Sequence, residues 1–127
     1  MNPFGHIDLR VRDLAAAQDF YDALLPALGF TEQYHGERWK VWATTDALPF
    51  TAYFGITESA EQLPNENRIA FAVGSREDVE RIAEVAWAAG ALEQSGPKEM
   101  PYGPGYYAIF FADPSGNRLE VYYRPEV

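Results

Sequence analysis

The chain contains no cysteine. That excludes a disulfide scaffold and thiolate chemistry. It has only two histidines, His6 and His35, so a multi-histidine metal site is not available within one chain. No apolar run is long enough to span a bilayer, and the N-terminus lacks a charged segment followed by an apolar one. These absences point to a cytoplasmic protein with no membrane partner. Positive charge is also scarce. Ten Lys and Arg face nineteen Asp and Glu, for a formal net charge of −9. An acidic surface repels phosphate backbones, so nucleic acid is not an expected partner. No serine sits in a Gly-x-Ser-x-Gly elbow, and no glycine-rich loop has the strand–helix context of a phosphate cradle.

What is present is a core. Of 127 residues, 47% are hydrophobic and 15% aromatic, a globular composition. A chain of this length buries about two-thirds of its unfolded surface. Phe4 to Val11 alternates, with Phe4, His6, Asp8 and Arg10 on one face and Ile7, Leu9 and Val11 on the other. Asp13 is an N-cap, and Leu14, Ala17, Tyr21, Leu24, Leu25 and Leu28 recur at helical spacing as far as Gly29. Pro26 falls in the last turn and predicts a kink or an early end. Strands are predicted at Phe30–Tyr34, Arg38–Ala43 and Thr51–Ile56. Residues 57–67 are polar and read as a linker.

The pattern then restarts. Arg68 to Val73 alternates like the first strand. Ser75 with Asp78 resembles a capping box, and Val79, Ile82, Ala83, Ala86 and Ala89 carry a helical stripe that stops at Gly90. A short strand is predicted at Leu92–Gln94, then a loop through Gly105. Tyr107 to Ala112 reads as a buried strand. Asp113-Pro114-Ser115-Gly116-Asn117 is a tight turn, and Arg118 to Tyr123 alternates again, with Glu120 on the face away from Leu119, Val121 and Tyr123.

The halves can be superposed. Gly29-Phe30-Thr31-Glu32-Gln33 matches Gly90-Ala91-Leu92-Glu93-Gln94, His6 falls on Arg68, and Asp46 falls on Asp113. Carried forward, the last offset sets Tyr53 opposite Glu120. A period near sixty residues that occurs only twice is a duplicated module rather than a solenoid. The expected fold is α+β: two βαβββ modules in tandem (about 4–56 and 68–124, joined by the linker) forming an open, barrel-like mixed sheet. Helices cover its outer face, and the other face lines a cleft. The alternative is a ferredoxin-like or other α+β sandwich in which the repeat is coincidental.

GHIDLRVRDLAAAQDFYDALLPALGF at the start resembles the opening of the vicinal oxygen chelate superfamily, which includes glyoxalase I, bleomycin and fosfomycin resistance proteins and extradiol dioxygenases. RIAFAVGSREDVERIAEVAWAAG followed by YGPGYYAIFFADPSGNRLEVYY resembles the second half of its small glyoxalase-like members. The resemblance covers nearly the whole chain outside Gln33 to Glu66 and implies a single glyoxalase-like domain over 1–127. It also implies paired βαβββ modules, a small-molecule ligand and a homodimer, with modules swapped in some relatives. Lactoylglutathione lyase-like and dioxygenase activities are the reactions it suggests, and drug sequestration by a non-catalytic binding protein is the other function it hosts.

In the family's metal enzymes each module supplies one ligand from its first strand and one from its last. Those positions here are His6, a residue near Tyr53, Arg68 and Glu120. Only His6 and Glu120 are suitable, an incomplete metal set. Arginine has no lone pair to give, and a phenol is a poor ligand at neutral pH. Asp8, on the face of His6, is a further donor, and His35 a remote one. A divalent metal is therefore a doubtful cofactor. The same parity predicts an ion pair between Arg68 and Glu120 that would replace the metal's charge with an organic cation.

His6 is open to reading as a ligand, a general base or a hydrogen-bonded cleft residue, and Glu120 as a ligand, a second base or an exposed edge residue. Arg68 is either in the cleft or at the surface. Tyr53, Tyr102, Tyr106 and Asp8 complete the candidate ligand-binding set. The first two tyrosines of Tyr102, Tyr106 and Tyr107 flank Gly103-Pro104-Gly105, as a lid would, whereas Tyr107 also reads as the start of a buried strand. Trp39, Trp42 and Trp87 read as core or interface.

Overall fold

The computed structural model describes residues 2–126. The chain runs β1 (His6–Val11), α1 (Leu14–Ala27), β2 (Glu32–His35), β3 (Trp39–Ala43), β4 (Tyr53–Glu58), β5 (Arg68–Ala72), α2 (Arg76–Ala88), β6 (Leu92–Glu99), β7 (Tyr107–Ala112) and β8 (Arg118–Tyr123). Each half is βαβββ. The strands form two four-stranded sheets with the same internal order, β1-β4-β3-β2 and β5-β8-β7-β6. In each, the first strand pairs parallel with the last and the remaining pairs are antiparallel.

The two helices begin and end alike. Asp13 accepts from the Ala16 N–H at 3.1 Å, and Ser75 Oγ accepts from the Asp78 N–H at 3.0 Å, each satisfying a first-turn donor. Gly29 and Gly90 take φ of 98° and 96°. The next amides, of Phe30 and Ala91, turn back to the carbonyls of Leu25 and Ala86. This is the same left-handed closure twice. Pro26 does not shorten α1, because in the last turn it costs only its own hydrogen bond.

A single buried cluster draws on both halves, with Tyr21, Leu24, Trp42 and Phe54 from the first and Phe71, Ile82, Phe111 and Leu119 from the second. Phe20 meets Phe111 at 6.3 Å between ring centroids, and Phe54 meets Phe71 at 5.6 Å. Polar ties reinforce the seam. The Tyr21 hydroxyl donates to Asp113 at 2.7 Å, and the Asn117 amide donates to the Arg10 carbonyl at 2.9 Å. The predicted turn forms as expected, with Gly116 at φ 83° and its N–H on the Asp113 carbonyl.

Several boundaries differ from the sequence reading. β1 starts at His6 rather than Phe4, β2 spans Glu32–His35, and β4 extends into the first residues of the predicted linker, to Glu58. β6 is longer than Leu92–Gln94 and carries register shifts on β7, which lets a proline- and glycine-containing segment stay paired. Trp42 is core, but Trp87 is exposed on α2, one position off the stripe made by Val79, Ile82, Ala83 and Ala86.

Candidate functional site

Both sheets turn their aliphatic residues inward, so the opposite faces carry the chemistry. On the first sheet that face holds His6, Asp8, Tyr53 and Gly55. His6 Nε2 lies 3.5 Å from Asp8 Oδ2, and the two side chains remain 66% and 60% exposed. An imidazole beside a carboxylate can take up a proton from a group resting on the sheet, the work of a general base. A Cβ placed on Gly55 would lie 3.0 Å from Asp8 Oδ1. The Asp8 carboxylate thus occupies the space a side chain at position 55 would enter.

His6, Tyr53 and Arg68 line one cavity of about 420 Å³ between β1, β4 and β5. Its walls include Phe30, Phe54, Ile69 and Phe71. Apolar walls with a few convergent polar groups are the usual make-up of a small-molecule pocket. A second hollow of about 300 Å³ adjoins it on the first sheet, sharing His6 and Tyr53 and adding Asp8 and Gly55.

Glu120 lies on the second sheet and lines neither hollow. It is buried, 6% exposed, not ligand-accessible as its strand parity suggested. The Tyr106 hydroxyl donates to its carboxylate. Tyr106 stacks on Tyr122 with centroids 4.9 Å apart and planes 5° apart, and Tyr102 meets Tyr106 edge-on at 5.2 Å. Burial, then the bond to Glu120, pushes the Tyr106 hydroxyl well above its ordinary pKa, so it stays a donor.

Two expectations are corrected here. Arg68 does not pair with Glu120. No such ion pair exists among the described residues, and the guanidinium carbon lies 5.0 Å from the Phe110 centroid instead. Glu120 already has Tyr106 as its donor, and Ala70, not Arg68, is its neighbour on β5. Nor is Tyr53 the counterpart of Glu120. β1 on β4 pairs His6 with Tyr53 and Asp8 with Gly55, whereas β5 on β8 pairs Arg68 with Arg118 and Ala70 with Glu120. With His6 matched to Arg68, Glu120 corresponds to Gly55. The turn-based offset fails because the β3–β4 connection of the first half, residues 44–52, is longer than the β7–β8 turn of the second, residues 113–117.

The model of the Glyoxalase/Bleomycin resistance protein/Dioxygenase superfamily matches residues 4–121. The chain belongs to that superfamily. Among solved structures it is similar to a glyoxalase/bleomycin resistance protein from Albidiferax ferrireducens T118 (25% identity, TM-score 0.79, 97% of this chain and 100% of that one). It also resembles a glyoxalase/bleomycin resistance protein/dioxygenase family enzyme from Burkholderia phytofirmans PsJN (19% identity, TM-score 0.73, 94% and 96% covered). A third is the fosfomycin resistance protein FosX of Listeria monocytogenes (22% identity, TM-score 0.74, 98% and 95% covered). A search of curated proteins finds no significant match.

The metal of the superfamily's enzymes can be tested against this glyoxalase-type chain. Strand register makes its four ligand positions His6, Gly55, Arg68 and Glu120. Glycine offers no donor, arginine offers only N–H groups, and Glu120 is capped by a tyrosine. Among the described residues no three His, Cys, Asp or Glu side chains come together. The donor set does not fit a divalent ion. His35 stays apart as well, with its ring 5.1 Å from core Trp42 and its Nδ1 accepting from the Val41 N–H.

Sequence reasoning missed Gly55, Phe110 and Lys98. A glycine inside a strand is itself a signal of close approach. Phe110 was hidden because β7 is apolar on both faces, so alternation could not say which residues faced the cleft.

Proposed function

We propose that this chain binds a small organic molecule in the cavity between β1, β4 and β5, without a divalent metal, as a bleomycin-resistance-type binding protein does. One observation carries the reading: His6, Tyr53 and Arg68 line a single apolar-walled cavity while two of the four metal-ligand positions are Gly55 and Arg68. The aromatic walls would hold the body of the ligand, and His6 and Tyr53 would orient its polar groups.

The expected result is well below one metal per chain in untagged protein equilibrated with zinc, nickel or manganese. The same protein should bind the neutral aromatic probe 2-naphthol, with NMR shifts at His6 and Tyr53. Stoichiometric metal that disappears in Glu120→Ala would overturn the reading.

A homodimer belongs to the same proposal. Tyr34 and Trp39 stand exposed on the His6 face, and Phe4, Leu48 and Phe50 are exposed on adjoining loops. Apolar side chains in this number are more than a solvated surface needs, and a second copy is the occupant proposed. Sedimentation should give a dimer that Trp39→Glu together with Phe50→Asp converts to monomer. A wild type that sediments as a monomer at micromolar concentration would count against it.

A further inference from the structure

The second sheet holds its cations in an unusual way. Arg68 on β5 and Lys98 on β6 converge on the ring of Phe110 on β7, at 5.0 and 5.6 Å from its centroid. The sheet order β5-β8-β7-β6 brings them in from opposite sides of that ring. Arg118 stands beside Arg68 in the strand register. Among the described residues, the ion pairs join His6 to Asp8, Arg76 to Glu99 and Arg81 to Asp78, so none of these three cations has a carboxylate partner. None donates a side-chain hydrogen bond there either, although Arg12, Arg76 and Arg81 do.

Lack of acids cannot explain this, because acids outnumber bases nineteen to ten in the chain. Glu120, which pairs with Phe110 across β7 and β8, is the carboxylate on this face, and it accepts the hydrogen bond of the Tyr106 hydroxyl. Like charges on directly opposite strand positions are destabilising. A cation–π contact places a cation without neutralising it, since the ring contributes a quadrupole and no net charge. The face therefore keeps Arg68, Arg118 and Lys98 positioned without a direct ion pair against the single carboxylate of Glu120, inside an acidic molecule.

We propose that Arg68 and Lys98 form an oxyanion site, the place where a carboxylate, phosphate or phosphonate group of the cavity's ligand is held. Arg68 also lines the cavity, so the ligand's body would lie against Phe54 and Phe71 while its anionic group reaches the strip over Phe110. The planar guanidinium suits two oxygens of such a group at once, and the lysine ammonium adds a point charge. The inference rests on reading the cavity as a ligand site and names the charge of what enters it.

The test is an NMR titration of the full chain with methylphosphonate and with inorganic phosphate, at ionic strength held constant with sodium chloride. Saturable shifts are expected at Arg68, Lys98 and Phe110. The dissociation constant should rise at least about tenfold, the loss of one charge-assisted contact, in Arg68→Gln and again in Lys98→Gln. Arg81→Gln, on α2 and paired with Asp78, should leave it unchanged. Shifts that never saturate, or equal affinity in wild type and both variants, would overturn the proposal. The 2-naphthol titration separates the two readings. If naphthol still moves His6 and Tyr53 while the anions do not bind, only the oxyanion site fails. If naphthol does not bind and the anions do, the cavity reading fails and the charged strip stands alone.

Discussion

Asp113→Ala is expected to lower the unfolding free energy by roughly 3–5 kcal/mol and the midpoint temperature by roughly 10–20 °C. The carboxylate is fully buried and works in both directions at once. Its Oδ1 accepts the Ser115 and Asn117 amides at 2.9 and 3.0 Å, which closes the β7–β8 turn. Its Oδ2 accepts the Asn117 side chain at 3.0 Å and the Tyr21 hydroxyl at 2.7 Å, which ties that turn to α1 of the other half. Alanine leaves the tyrosine hydroxyl and the turn amides without an acceptor, and each buried unpaired donor costs about 1–3 kcal/mol. Burial and the neighbouring carboxylate raise the Tyr21 hydroxyl well above its ordinary pKa, so it remains the donor in this bond. Tyr21→Phe removes one bond together with its donor and should cost about 1 kcal/mol. Urea denaturation measures both. Equal losses for the two variants would show that the turn amides find other partners.

Phe54→Ala should cost roughly 3–5 kcal/mol, the usual range for deleting a buried aromatic. Phe54 is 1% exposed and stands in a chain of rings, 5.2 Å from Tyr21 and 5.6 Å from Phe71, with Phe30 next at 6.1 Å from Phe71. It therefore joins the two halves as well as filling the core. The same ring walls the candidate cavity, so its loss should also weaken 2-naphthol binding at temperatures where the variant stays folded. A double-mutant cycle with Phe71→Ala reads the coupling across the seam. Coupling near zero, with a loss below about 1 kcal/mol for Phe54→Ala, would mean that the halves are held by the polar ties instead.

Much of the fold was legible because it rests on local rules. The strand faces of Phe4–Val11 and Arg118–Tyr123, the caps Asp13 and Ser75 and the closing glycines Gly29 and Gly90 each obey a period or a turn preference within a few residues. Their recurrence is why two βαβββ modules could be read without coordinates. The limits of β2 and β6 were less legible, because a bulged strand containing Gly96 and Pro97 satisfies no alternation.

The site was half legible. Parity placed His6, Asp8 and Arg68 on cleft faces, and the structure brings His6, Tyr53 and Arg68 to one cavity. It leaves Glu120 apart, under Tyr106. Parity states which side of a sheet a residue faces. It does not state which neighbour arrives there, since the hydroxyl over Glu120 comes from a loop and the ring under Arg68 comes from two strands away.

Composition and period by themselves determined the class of the fold and the duplication, while the motifs at both ends of the chain carried the superfamily resemblance, which in turn implied the poor donor set at its ligand positions. Those follow from residue identity and short-range spacing. Only the tertiary structure decided that Gly55 is the partner position of Glu120, that Asp8 fills the space beside it, and that Arg68 and Lys98 meet over Phe110. Those depend on strand register, including the register shifts of β6 on β7 that place Lys98. A shift of two residues keeps every side chain on its face while changing every neighbour, so alternation cannot detect it.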